Sequence, residues 1–438
     1  MNITKLKAAI DYAANRQFYH QHWNGDVDLA TPELTVAQFQ QIPVVRKHHL
    51  RDHWEDIMEY GDVTDFVSSS GTTGRPVDVP VHRLQEQIWV NSVGRVLSEM
   101  GVQPGDFVIQ MLSNNDMYTL GMLVCQAAKQ QGVGVFRCSP QRVNRLVDIM
   151  KYHRPKFIVG NPLFLLEIAE RLGDAFPSKD LLPKVAYLAA CASFDANNHL
   201  TAAAQKVKEV WGFELMLNEY GCSEIGSIGF ECNQHNGFHI NDDYLHVELL
   251  NPETGRPVKE GEPGEVVVTT LTQPRGFAAV RYATGDIASE LSTQRCTCGR
   301  YGPRLGAIIG RVDHQLKVKG QNIYPEFVLD IVEWQACTDK AVLVRYRDSL
   351  ERDTVVVCVE LNNDYLDKPA QAEKQLSEAL MKHIAVGPEI CIVEHGTIAR
   401  VTAAQMSQSN GVKVPRLIDL DSEQRWSELP SCQKSRLG

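Results

Sequence analysis

The chain has 438 residues, 43% hydrophobic and 22% charged, the make-up of a soluble globular protein, and this excludes an intrinsically disordered one. A formal net charge of −10 and the lack of any lysine-rich run argue against sequence-independent nucleic-acid binding, which needs a basic face. That length predicts two or more domains, and no apolar run approaches what a bilayer crossing requires.

The start, Met1-Asn-Ile-Thr-Lys-Leu-Lys-Ala-Ala-Ile-Asp11, is amphipathic and lacks the apolar stretch of a signal peptide, so a cytoplasmic protein without a membrane partner is expected. The eleven cysteines are then expected to be mostly reduced, because an odd, scattered set in a long chain is not a disulfide framework. Residues 3 to 60 mix helical periodicity with Phe18, Tyr19 and Trp23 and read as a helical N-terminal lobe, in which Gln41-Ile-Pro-Val-Val-Arg-Lys47 leads into another helix.

From Leu84 onward strand and helix alternate. Helix is predicted over 84–99, strand over 107–111, helix from Gly121, strand over 134–138, helix over 143–152, strand over 157–160, helix over 162–172 and strand over 185–190. That order is the pattern of a parallel sheet covered on both faces by helices. After Glu224 apolar and polar residues alternate, as in Tyr244-Leu-His-Val-Glu-Leu-Leu250 and Gly264-Glu-Val-Val-Val-Thr-Thr-Leu271, and predict antiparallel strands.

A last, smaller α+β region follows Gly310, with strands near 341–346, 354–361 and 390–393 and a helix over 370–384. The fold class is therefore α/β. A large N-terminal domain over 1–310 holds the parallel sheet and the antiparallel region, and a small α+β C-terminal domain covers 311–438.

Four segments carry chemistry. Ser68-Ser-Ser-Gly-Thr-Thr-Gly-Arg-Pro76 offers hydroxyls, and Gly71 and Gly74 let successive amides face one concavity, the nest geometry that binds anions. It is not a P-loop, since no Gly-Lys-Ser/Thr follows at the required spacing. The others are Tyr220-Gly-Cys-Ser-Glu224, Tyr282-Ala-Thr-Gly-Asp286 and Gly310-Arg-Val-Asp-His-Gln-Leu-Lys-Val-Lys-Gly320. Together, in this order, they resemble the adenylate-forming ligases, and within them the phenylacetate-CoA ligase branch.

That resemblance implies activation of a carboxylic acid by ATP and Mg²⁺ as an acyl-adenylate, followed by transfer to a thiol. It implies that Ser69, Ser70, Gly71, Thr72, Thr73 and Gly74 wrap phosphates. The Tyr220 ring would lie against the adenine with Gly221 also in the nucleotide site, Ser223 would face the α-phosphate, and Glu224 would ligate Mg²⁺, a hard cation that wants oxygen donors. Asp286 would accept from the ribose hydroxyls and Arg311 would reach the same nucleotide. Asp313 matches the hinge aspartate, and Gly320 would let pantetheine pass. Gly411-Val-Lys-Val-Pro-Arg-Leu-Ile-Asp419 resembles the segment of the catalytic lysine, with Lys413 as counterpart.

The chain departs from the family pattern in places. Arg75 stands for the usual Lys, Ser223 for Thr, and Val412 separates the lysine from its glycine; Ala189-Ala-Cys-Ala-Ser-Phe194 and Cys125-Gln-Ala-Ala-Lys129 replace the adenine-side and acyl-pocket patterns. The implied activity is an ATP-dependent ligase joining a carboxylic acid, by family an aryl acid, to coenzyme A. One alternative loads the phosphopantetheine of an acyl carrier protein. Another is an idle nucleotide- or acyl-adenylate-binding accessory protein. A homodimer is plausible by the same resemblance.

Cys296-Thr-Cys298, with Cys232 and His239, forms a donor set suited to a closed tetrahedral structural zinc site, with His235 as a substitute ligand; a reduced, buried cluster is the other reading.

Overall fold

The computed structural model describes residues 2–23, 34–69, 76–112, 114, 117–138, 142–189, 199–272, 276–314, 316–318, 321–347, 353–383, 388–409 and 416–420. These fall into two compact units, 2–69 with 76–308, and a second from Ile309 onward.

The first unit is organised by a nine-stranded mixed sheet. Its order is Leu291–Ser292, Arg304–Leu305, Phe238–Ile240, Gly226–Glu231, Leu215–Cys222, Val185–Leu188, Phe157–Gly160, Phe107–Gln110 and Gly134–Arg137. The last five are parallel neighbours, and the rest pair antiparallel. Helix Arg83–Glu99 precedes the first of these strands in sequence, and helices Leu120–Gln130, Val143–His153, Pro162–Leu172 and Ala202–Trp211 lie between them.

The strand sequences explain the layering. Side chains alternate across a strand, so Val108, Val159, Tyr187 and Leu217 enter one core with Trp89, Val93 and Val124. Their neighbours Ile109, Ile158, Ala186 and Met216 enter a second core with Leu146, Met150, Leu165 and Trp211. Both faces being buried, the strands read as continuous apolar runs.

A second sheet pairs Leu245–Leu250, Gly264–Thr270 and Tyr282–Ala288 antiparallel. The N-terminal residues form helices, as their periodicity predicts, but not a lobe with its own core. Leu6, Ile10, Tyr19 and Phe39 share one core with Val266 and Phe277, and the Tyr19 hydroxyl donates to Ala278 O at 2.7 Å. Buried Arg281 fastens the arrangement. It pairs with Glu248 at 3.0 Å and donates to the carbonyls of Gln40 and Ile42.

The second unit is α+β. Its sheet runs Glu389–Val393, Asp353–Leu361, Thr338–Arg347, Leu417–Leu420. Leu343, Val355, Val357 and Val359 face helices Pro325–Glu333 and Pro369–His383, while Val342, Val344, Val356 and Cys358 face helix Thr397–Ser409. No helix among the described residues is long and apolar enough to cross a membrane.

Candidate functional site

The Tyr220–Glu224 segment ends one strand of the large sheet and turns into the next. Cys222 pairs with Gly226 and Gly221 with Ser227, so Ser223, Glu224 and Ile225 form a tight loop. Two glycines make that loop possible. A Cβ on Gly221 would sit 2.4 Å from Gly226 O, and Gly226 has φ +83° with its missing Cβ 2.4 Å from the Trp89 indole nitrogen. Gly221, expected in the nucleotide site, thus has a packing reason to be glycine.

The loop aims Glu224 inward. Its carboxylate is 4% exposed and its Oε1 has no hydrogen-bond partner among the described residues. Lys47 faces it, with Nζ 3.3 Å from that oxygen. Backbone pairing explains how a residue near the N-terminus arrives there. Val45 N donates to Arg281 O at 2.9 Å and Ala283 N to Val45 O at 2.8 Å, docking Val45 beside Tyr282. Arg46 grips buried Glu265 through two hydrogen bonds of 2.7 and 2.9 Å. The next residue, Lys47, then opens helix Lys47–Asp52 toward Glu224.

In sequence, Gln41-Ile-Pro-Val-Val-Arg-Lys47 reads only as a helix lead-in. The signal was there, in a strand-like pair followed directly by two cations. A buried carboxylate oxygen without a donor is a costly arrangement unless a cation meets it. The donor chemistry of Glu224 therefore fits Mg²⁺ as well as the ammonium it faces.

Tyr220, on strand Leu215–Cys222 of the large sheet, meets Asp286, on strand Tyr282–Ala288 of the second sheet. The Tyr220 hydroxyl donates to Asp286 Oδ2 at 2.9 Å and lies 3.2 Å from Thr284 Oγ1. Burial, then Asp286, pushes that phenol well above its ordinary value, so it stays a donor. Ser223 is half-buried on the same loop. Ser69 is buried, its N–H donates to Val77 O, and its hydroxyl accepts the Val77 N–H at 2.9 Å, closing the base of the 68–76 segment. Ser70, Gly71, Thr72, Thr73 and Gly74 lie outside the described residues, as do Gly320 and Lys413 and most of the 189–194 departure.

In the second unit Arg311 Nε donates to Asp313 Oδ1 at 2.9 Å. Asp313 sits in the single 3₁₀ turn Val312–His314, and His314 Nδ1 is 3.3 Å from Glu326 Oε1. Arg416, close to Lys413 in sequence, is engaged by Asp330 at 3.1 Å and Glu333 at 3.3 Å.

The four sulfur and nitrogen donors do converge. The sheet register sets His239 opposite Arg304, so the hairpin ending at Cys232 and the loop of Cys296 and Cys298 close on one point. The donor atoms of Cys232, His239, Cys296 and Cys298 all lie within 4.8 Å of one another, with Cys232 Sγ 3.9 Å from Cys296 Sγ and Cys298 Sγ 3.4 Å from His239 Nε2. Burial, with Arg300 and Arg304, holds His239 down at about 4, leaving the neutral ring a ligand requires. Three unbridged cysteines and one neutral imidazole fit a closed tetrahedral zinc. His235, the substitute ligand, is not in this group; its N–H donates to Cys232 O.

Residues 61–277 match a family model described as AMP-binding enzyme, and 320–420 match AMP-binding enzyme C-terminal domain. A phenylacetate-coenzyme A ligase of Thermus thermophilus is 30% identical over 401 residues, 88% of each chain. One of Escherichia coli is 27% identical over 382 residues, 83% of each. Among solved structures, a 2-hydroxyisobutyryl-CoA ligase in a postadenylation state superposes with TM-score 0.79 at 20% identity, over 98% of this chain and 90% of that one, a likeness of fold.

Proposed function

Because this chain belongs to the AMP-binding enzyme family, on its phenylacetate-CoA ligase-like branch, we propose that it is an ATP-dependent acid–CoA ligase that works through an acyl-adenylate. One observation carries the reading. The Glu224 carboxylate is buried and oriented, with an oxygen that has no hydrogen-bond donor among the described residues, on the loop that directly follows the strand carrying Tyr220, the partner of Asp286. Apolar burial alone would not retain such a group.

A carboxylate is a poor acyl donor because its oxygen is a poor leaving group. Its attack on the α-phosphorus of ATP forms the acyl–phosphate bond and breaks the bond to pyrophosphate. Thiolate attack on the acyl carbon then forms the thioester and releases AMP. Mg²⁺, when bound, neutralises phosphate charge. Glu224 would hold it, and Lys47 would keep the carboxylate in place until it binds. Asp286 would accept from the ribose, with the Tyr220 hydroxyl fixing its orientation and the ring lying against the base. Ser223 would donate toward the α-phosphate, and residues 69–74 would hold the outgoing phosphates. Lys413 would stabilise the charge that builds on the α-phosphate as the carboxylate attacks. The unit from Ile309 onward would turn about Asp313 between the two half-reactions, admitting coenzyme A past Gly320.

The three cysteines and His239 would hold a structural zinc. With four protein ligands it has no open position for chemistry. The acid is aromatic on this reading, which rests on the phenylacetate-coenzyme A ligases to which the chain is similar.

The test is carboxylate-dependent pyrophosphate release on a panel of aromatic acids, with and without coenzyme A. Release that depends on one acid, and thioester only with coenzyme A, supports the proposal. Pyrophosphate release with acyl transfer only to a carrier protein favours the carrier-loading alternative. No release with any acid, despite nucleotide binding, overturns the enzyme in favour of an accessory protein.

A further inference from the structure

The second unit carries another group of metal-ligating side chains, apart from both sites above. Asp339 lies on strand Thr338–Arg347, Glu360 on strand Asp353–Leu361, and His395 in the turn before helix Thr397–Ser409. Register brings the first two together. Thr338 pairs with Leu361 and Lys340 with Glu360, so Asp339 is the extra residue of a β-bulge. Bulges re-aim a side chain that regular alternation would send elsewhere.

His395 Nδ1 stands 3.8 Å from Glu360 Oε2 and 3.9 Å from Asp339 Oδ2. All three donors lie within 4.8 Å of one another. Glu360 is 1% exposed; its Oε1 accepts the Ile398 amide N–H at 2.7 Å, while its Oε2 has no hydrogen-bond partner among the described residues. The His395 ring is too distant to supply one. A buried carboxylate oxygen left without a donor, facing an imidazole nitrogen and a second carboxylate, is the arrangement a cation resolves.

We propose that Asp339, Glu360 and His395 bind a divalent first-row metal cation, manganese(II) included. Each carboxylate would give one oxygen and His395 its Nδ1. Bonds of about 2.0–2.2 Å put donors about 3.0–4.2 Å apart, close to the spacings found. Three protein donors leave room for water, and Asp339 and His395 reach the surface, with side chains 31% and 44% exposed. Bound there, the cation ties the turn that opens helix Thr397–Ser409 to two central strands. The nitrogen-and-oxygen set separates this site from the sulfur-rich one, since thiolates suit manganese(II) poorly.

The experiment is a manganese(II) titration of the full chain without nucleotide, at mildly alkaline pH, with free metal read by electron paramagnetic resonance. The wild type should bind one equivalent, and its melting temperature should rise with the metal. Asp339→Asn and His395→Ala alter partly exposed side chains, so the fold should persist, and each should weaken binding by more than about tenfold and abolish the rise in melting temperature. Glu360→Gln keeps an acceptor for Ile398 and should behave alike. A wild type that leaves manganese(II) free at millimolar concentration overturns the proposal, as do variants that bind like the wild type.

Discussion

Lys47 Nζ stands 3.3 Å from Glu224 Oε1, so the N-terminal helices supply the cation that faces the one buried carboxylate of the Tyr220–Glu224 loop. The two residues are far apart in the chain, and the docking of Val45 between Arg281 and Ala283 is what joins them.

Lys47→Met should leave that buried carboxylate without its ion pair and lower stability by about 1–3 kcal/mol. A magnesium ion bound to Glu224 would restore the missing counter-charge. Melting temperatures with and without Mg-ATP check this: the nucleotide should raise the variant's more than the wild type's. Equal gains would remove Glu224 as the metal ligand.

Lys413→Ala should slow adenylation by the loss of a preorganised transition-state cation, about 3–4 kcal/mol of barrier. Preformed acyl-adenylate should still go on to thioester. Pyrophosphate release at the wild-type rate in the variant contradicts the role given to this lysine.

Cys296→Ser removes one thiolate from the three-cysteine, one-histidine group and should release zinc and lower thermal stability, with the ATP-binding residues chemically intact. Elemental analysis of the purified wild type and variant decides it. A zinc-free wild type that is folded and active excludes a structural metal there.

Asp313→Pro fixes φ near −65° in the turn that follows Gly310-Arg311 and removes an N–H, and it also deletes the carboxylate that Arg311 engages. Single-turnover adenylation should persist and thiol transfer should slow strongly. Equal loss of both half-reactions would mean that residue 313 is not the pivot.

Glu231 gives a pH prediction. It is buried, accepts the Asn218 N–H at 2.8 Å, and burial pushes its carboxyl from 4.5 up to about 8. The folded protein therefore holds this proton where the unfolded chain has lost it. Its contribution is intact below the ordinary carboxylate range and falls away as pH rises toward 8. Glu231→Gln keeps an acceptor for Asn218 and cannot ionise, so it should melt above the wild type at mildly alkaline pH and close to it in acid. Parallel pH–melting curves for the two proteins would refute this.

The sequence by itself determined the layers and the family. Runs such as Phe157-Ile-Val-Gly160 and Val185-Ala-Tyr-Leu188 are apolar at every position because both sheet faces are covered, so their strands and the helices between them are legible from local pattern. The motifs were legible for a related reason: hydroxyls, glycines and a carboxylate crowd into a few adjacent residues. The tertiary structure alone decided which distant groups share a point. Lys47 meets Glu224, Tyr220 meets Asp286, and the bulge at Asp339 turns that side chain toward Glu360 and His395. Periodicity reports which face of an element is buried, whereas such meetings depend on strand order and register, which are set by long-range pairing that no local window contains.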